Sequence, residues 1–164
     1  MAKIIYKEGE YLKELKEWVD YLDEYNNNVY PLQEERIDLA NKRIEASNTG
    51  DSKKVLSYCE LEADKYEEII KSLHAMYVPK IAKNFHDYWT KYYIKHKQWL
   101  AYLIKSGREV EAGIYGYNDT KAQNLLDEAD HLMAQSKQES KRIERYLNQK
   151  AKDLNLTIPF PDQD

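Results

Sequence analysis

This sequence predicts an all-α fold, an antiparallel bundle of four long helices. Three observations predict it: apolar residues recur at helical spacing along most of the chain, only 5 Gly and 4 Pro occur in 164 residues, and charged residues make up 33%. The length suits one domain, 1–164, with an extended C-terminal tail at 157–164 that Pro159 and Pro161 keep from continuing a helix.

From Glu10 onward, Leu15, Leu22 and Val29 form one heptad row and Trp18, Tyr25, Leu32 and Leu39 form another. The rows predict a first helix over about 10–47. Asn26, Asn27, Asn28 and Pro31 weaken its propensity, yet the heptad phase runs through them, so a kink near Pro31 is expected, not a loop.

Ser47 to Asp51 reads as a turn, with Asp51 or Ser52 able to cap the next helix. Val55, Cys59, Tyr66, Ile69, Leu73 and Met76 give that helix, about 52–77, its apolar stripe. Past Pro79 the stripe restarts out of phase at Ile81, Phe85, Tyr88, Tyr92, Trp99 and Leu103. A break or sharp bend at Pro79 and a third helix over about 80–106 follow.

Gly107, Gly113 and Gly116 bracket an expected loop. Thr120 and Gln123 stand in capping-box spacing at the start of the last helix, about 120–153.

The single cysteine, Cys59, allows no intramolecular disulfide and reads as a small buried hydrophobe. No apolar run approaches the roughly 18 residues of a membrane span, and the N-terminus has no apolar signal core. The expectation is a cytoplasmic chain as it stands, or an extracytoplasmic one if a signal segment has been removed. Tyr is abundant, 15 copies against 2 Phe, which fits AT-rich coding as well as selection for binding.

Charge is unevenly spread. Residues 1–70 hold 10 basic and 17 acidic side chains, residues 71–108 hold 8 and 1, and residues 109–164 hold 7 and 11. The basic segment, 79–108, is also the aromatic one, with more ring area than a single amphipathic stripe buries. The leading reading is therefore a non-catalytic binding protein. Tyr88, Trp89, Tyr92, Tyr93, Trp99 and Tyr102, with Lys91 and Lys95, would form a face for an acidic protein, an anionic polymer or a membrane surface. Charge balance between this helix and its acidic neighbours is the plain alternative. Nucleic acid is disfavoured by a sequence pI of about 5.7.

Glu128 and His131 stand in Glu-x-x-His spacing, as in di-iron helical bundles, which makes a metal-binding four-helix-bundle protein or enzyme the second reading; no second copy of the motif is present. Phosphate-loop, dinucleotide and nucleophile-elbow motifs are missing, so no catalytic residue and no cofactor are assigned. A purely structural or secretion-associated bundle is the third reading. Each of the first two helices also points one charge at its apolar seam, Arg36 and Glu62. Counting outward from the turn sets them opposite each other, so an interhelical ion pair is expected.

From Val29 to Ile158 the runs VYPLQEERI, KYEEIIKSL, NFHDYWTKYYIKHKQWL after Pro79, and LLDEADHLMAQSKQESKRIERYLNQKAKDLNLTI resemble uncharacterised helical domains of Gram-positive bacterial lipoproteins and secreted proteins. There a proline-marked bend precedes a helix with His and an aromatic three residues on, as His86 and Trp89 stand here. The last helix ends there in Leu-Ala-x-x-x-Gly-hydrophobic; this chain reads Lys150 to Leu156 without the glycine, and has no lipid-attachment cysteine near its start. The resemblance implies an all-helical fold and an extracytoplasmic setting, with no assigned chemistry.

Overall fold

The structure, a computed structural model, describes the backbone of residues 2–109 and 120–161 and the side chains of residues 7–105 and 120–161. Among the described residues all regular secondary structure is helical. Helices α1 (Ala2–Asn28), α2 (Tyr30–Asn48), α3 (Ser52–Ala75), α4 (Lys83–Glu109) and α5 (Thr120–Asp153) follow one another, with a 3-10 turn at Lys80–Ala82 before α4. The expected glycine loop at 113–119 lies outside the described residues, as does the end of the tail, 162–164.

The expected first helix is two helices separated by one residue. At Val29 φ is −105°, but the Val29 N–H still donates to the Tyr25 carbonyl over 2.8 Å and the Gln33 N–H to the Val29 carbonyl over 3.0 Å. The i to i−4 ladder thus carries across; Pro31 removes only its own donor. The heptad phase continues for that reason.

At the end of α2, Gly50 takes φ +75°, the left-handed conformation that residues with a Cβ adopt at a cost. The Gly50 N–H bonds the Ser47 carbonyl and the Asp51 N–H the Ala46 carbonyl, closing α2. The Asp51 carboxylate then accepts from the Lys54 N–H over 3.1 Å, so the expected cap starts α3.

Pro79 marks a true break. Met76 and Pro79 are both extended, with ψ 143° and 158°, and no helix spans them. α4 runs on to Glu109, so Gly107 lies inside a helix instead of opening the loop. Gln123 donates forward to Asp127 over 2.9 Å, so its amide serves an i, i+4 bond within α5.

Just beyond the end of α5, Asn155 takes φ 58°. The Leu156 N–H bonds the Ala151 carbonyl over 2.8 Å and the Asn155 N–H bonds the Lys152 carbonyl over 3.1 Å. Asparagine tolerates this conformation better than other residues with a Cβ, so the helix stops here without a glycine. The tail then returns onto α5. Buried Asn148 donates to the Phe160 carbonyl over 3.0 Å and accepts from the Phe160 N–H over 3.1 Å, while Leu154, Leu156 and Phe160 pack on the core.

α2 packs on α3, α4 packs on both α3 and α5, and α1 touches α2, α5 and the 3-10 turn. Trp18, Tyr21, Tyr66, Tyr93, Ile69, Leu73, Leu100, Ile143 and Leu147 are fully enclosed. Among the described residues no helix is long and apolar enough to cross a membrane.

Candidate functional site

The aromatic segment sends most of its ring area inward. Phe85, Tyr92 and Tyr93 are buried, while Tyr88, Trp89, Trp99 and Tyr102 are half-buried. Trp89 sits edge-on to Tyr92 at 5.3 Å and stacks on Tyr93 at 5.8 Å. On α1, Trp18 meets Phe85 edge-on at 5.3 Å. One continuous set of rings thus joins α1, α3 and α4, which is where the aromatic area beyond a single stripe goes.

Tyrosine in this core brings hydroxyls that need partners. Tyr21 Oη lies 3.0 Å from His86 Nδ1, and Tyr25 Oη lies 3.1 Å from Tyr93 Oη. Burial pushes the His86 imidazole toward its neutral form.

Two of the basic segment's lysines are engaged by acidic neighbours. Lys95 reaches Glu128 on α5 over 2.7 Å, and Lys97 reaches Glu67 on α3. Lys91 is exposed, and Lys121 lies 5.2 Å over the half-buried Tyr102 ring.

Glu62 is 1% exposed, as a seam position requires, but its ion pair is with Arg43, whose Nε lies 2.6 Å from Glu62 Oε1. The expected Arg36–Glu62 bond is not the one formed. Arg36 holds its guanidinium 5.3 Å over the Tyr66 ring and donates to Gln33. Arg43 stands one heptad beyond Arg36 in the same row, so both reach the seam, and the acidic partner goes to the second of them.

A polar knot forms around this pair. Arg43 also lies 5.1 Å over Trp99, and His96 stacks on Tyr66 at 5.6 Å. Burial, then the charges of Arg36 and Arg43, drop the His96 imidazole to about 4. Burial pushes the Glu62 carboxyl up against the pull of Arg43. Among the described residues, Glu62 Oε2, Tyr66 Oη and His96 Nδ1 are three of the five buried side-chain atoms without a hydrogen-bond partner, the others being the Trp18 and Trp89 Nε1.

The metal-type pair is not enclosed. Glu128 is held by Lys95 on the surface and His131 is exposed. Among the described residues no three His, Cys, Asp or Glu side chains are placed to hold a metal ion.

Elsewhere a cleft of about 620 Å³ opens between α1, α5 and the chain leading into α4. Glu10, Lys13, Glu14 and Glu17 wall it from α1, Tyr77, Lys80, Ile81 and Asn84 from the α3–α4 connection and the start of α4, and Arg142, Ile143 and Tyr146 from α5. One wall is set by bonds between helices: Tyr146 donates to Glu14 over 3.1 Å, and Lys150 reaches Glu14 over 2.7 Å while lying 4.9 Å over the Tyr146 ring. Arg142 is clamped by two bonds to Glu139, of 2.9 and 2.5 Å. Tyr77 projects beside the opening, 72% exposed. Sequence reasoning missed the cleft because its walls come from segments some 130 residues apart, with no shared motif.

No protein-family model matches this chain, and no curated protein or solved structure matches it either.

Proposed function

We propose that the chain is a non-catalytic binding protein, an antiparallel bundle of four helical arms formed by α1 with α2, α3, α4 and α5, which receives a peptide segment of a partner in the cleft. The observation that carries the reading is Tyr77, a large ring left 72% exposed beside a cleft of about 620 Å³. Exposed aromatic area next to a concavity with fixed polar groups is what recognition sites use.

Walls bearing carboxylates and cations together suit a peptide carrying both signs, since each charge fixes the direction in which the guest lies. A uniform polyanion would meet Glu10, Glu14 and Glu17. Of the basic segment 79–108, the share in this site falls to its first residues: Lys80, Ile81 and Asn84 wall the cleft, while Tyr92 and Tyr93 serve the core.

Selection of a displayed peptide library against the protein tests the reading. Selected peptides are expected to lose about tenfold or more in affinity against Tyr77→Ser and Arg142→Glu, the loss of one well-placed anchor. Peptides that bind both variants as they bind the wild type would contradict it.

A further inference from the structure

The outward side of α1 and α2 carries a row of large apolar side chains: Leu12, Val19, Tyr30, Ile37 and Ile44, exposed by 50%, 40%, 50%, 43% and 48%. The steps between them are seven, eleven, seven and seven residues. Seven residues are close to two helical turns and eleven close to three, so all five return to one side of the helix. The row crosses Val29 because the hydrogen-bond ladder does.

From Leu12 to Ile44 it runs roughly 48 Å at 1.5 Å per residue. It is distinct from the inward rows, where Trp18 and Val29 are fully buried. A single exposed apolar residue is ordinary; five at coiled-coil spacing on one side are the pattern with which a helix receives another helix.

The margin of this row decides what kind of helix. Asp20, Asp23, Glu34, Asp38 and Glu45 are exposed beside it. The cations beside the row balance part of this charge: Lys16 pairs with Asp20 over 2.5 Å, Lys42 with Asp38 over 3.2 Å, and Lys13 lies 3.9 Å from Glu17, which leaves Asp23, Glu34 and Glu45 as the excess. Arg36 and Arg43 turn the other way, to Tyr66 and Glu62. The stripe is apolar with a net negative edge.

We infer that the α1–α2 stripe docks a basic amphipathic helix of a partner protein, its apolar residues seated on the row and its Lys or Arg along the acidic margin. A second copy of this chain would set one acidic margin against another, and an anionic lipid surface would be repelled. The stripe is a second surface, apart from the cleft, and does not depend on it.

Two synthetic helical peptides long enough to span roughly 48 Å test this, sharing one apolar heptad row and differing only in margins of Lys or of Glu. Binding by fluorescence anisotropy is expected for the Lys peptide alone, weakening as salt rises. Ile37→Ser/Ile44→Ser is expected to lose about tenfold or more. Asp23→Lys/Glu34→Lys/Glu45→Lys is expected to switch the preference to the Glu peptide, and Tyr77→Ser to bind the Lys peptide as the wild type does. These substitutions are on the surface, and circular dichroism checks that the fold is kept. Equal binding of both peptides, no binding of the Lys peptide, or an unchanged preference after charge reversal would overturn the inference. So would a dimer in sedimentation that Ile37→Ser/Ile44→Ser abolishes, since a second copy would then cover the stripe.

Discussion

Arg43 on α2 and Glu62 on α3 form an ion pair with Nε 2.6 Å from Oε1, their side chains 13% and 1% exposed. Removing one partner of such a pair strands the other charge, whereas replacing both with apolar groups of similar volume does not. Glu62→Ala is expected to lose about 3–5 kcal/mol, and Arg43→Met/Glu62→Leu to unfold at or above the wild-type urea midpoint. A Glu62→Ala variant as stable as the wild type would mean that the pair is solvated.

The same knot sets a pH dependence. His96 in the folded chain titrates near about 4, below its ordinary value. Between these two values the unfolded chain binds a proton that the folded chain does not. Its contribution is therefore full above about pH 6.5 and is lost as pH falls toward about 4, by roughly 3 kcal/mol at about 1.4 kcal/mol per pKa unit. His86, also pushed down by burial, acts in the same direction; Glu62, pushed up by burial, acts in the opposite one. The difference between wild type and His96→Gln isolates the histidine. Urea unfolding curves that stay parallel for the two proteins from pH 7 to 4 would contradict the assignment.

Asn155 gives a third test. At φ 58° it occupies the conformation glycine adopts freely, and the bonds that close α5 depend on it. Asn155→Gly is expected to hold or slightly raise the melting temperature, and Asn155→Val to lose about 1–2 kcal/mol through left-handed strain. The opposite order would show that α5 ends some other way.

Cys59 on α3 is 1% exposed, and burial pushes its thiol up to about 11 although Arg43 opposes the shift. The thiolate is the reactive form. A thiol-reactive disulfide reagent at neutral pH is expected to modify Cys59 only as fast as the protein unfolds, with the rate rising across the urea transition. Fast reaction in native buffer would place the thiol at the surface.

Local signals were legible in the sequence, and long-range side-chain choices were not. The Asp51 cap and the break at Pro79 are dictated within a few residues, so local propensity decides them, whereas the Gln123 amide read as part of a capping box bonds forward to Asp127 instead. The continuity across Pro31 was legible because a ladder broken at one donor keeps its phase. The partner of Glu62 was not, because Arg36 and Arg43 share one heptad row and only the geometry of the seam selects between them. Ring exposure on α4 was hard to read for a related reason: composition gives the aromatic area, but the number of neighbouring helices that cover it comes from topology. Helices α1, α3 and α5 together cover more of α4 than one stripe would. The cleft needs Glu14, Tyr77 and Tyr146 brought together, which no local pattern encodes.

Amide hydrogen exchange, with and without a peptide selected against the protein, tests most directly where a partner binds. Slowed exchange is expected at residues 10–17, 77–84 and 142–146, the walls of the cleft, with 88–103 unchanged. Slowing confined to 88–103 would return binding to the half-buried rings of α4 and contradict the cleft.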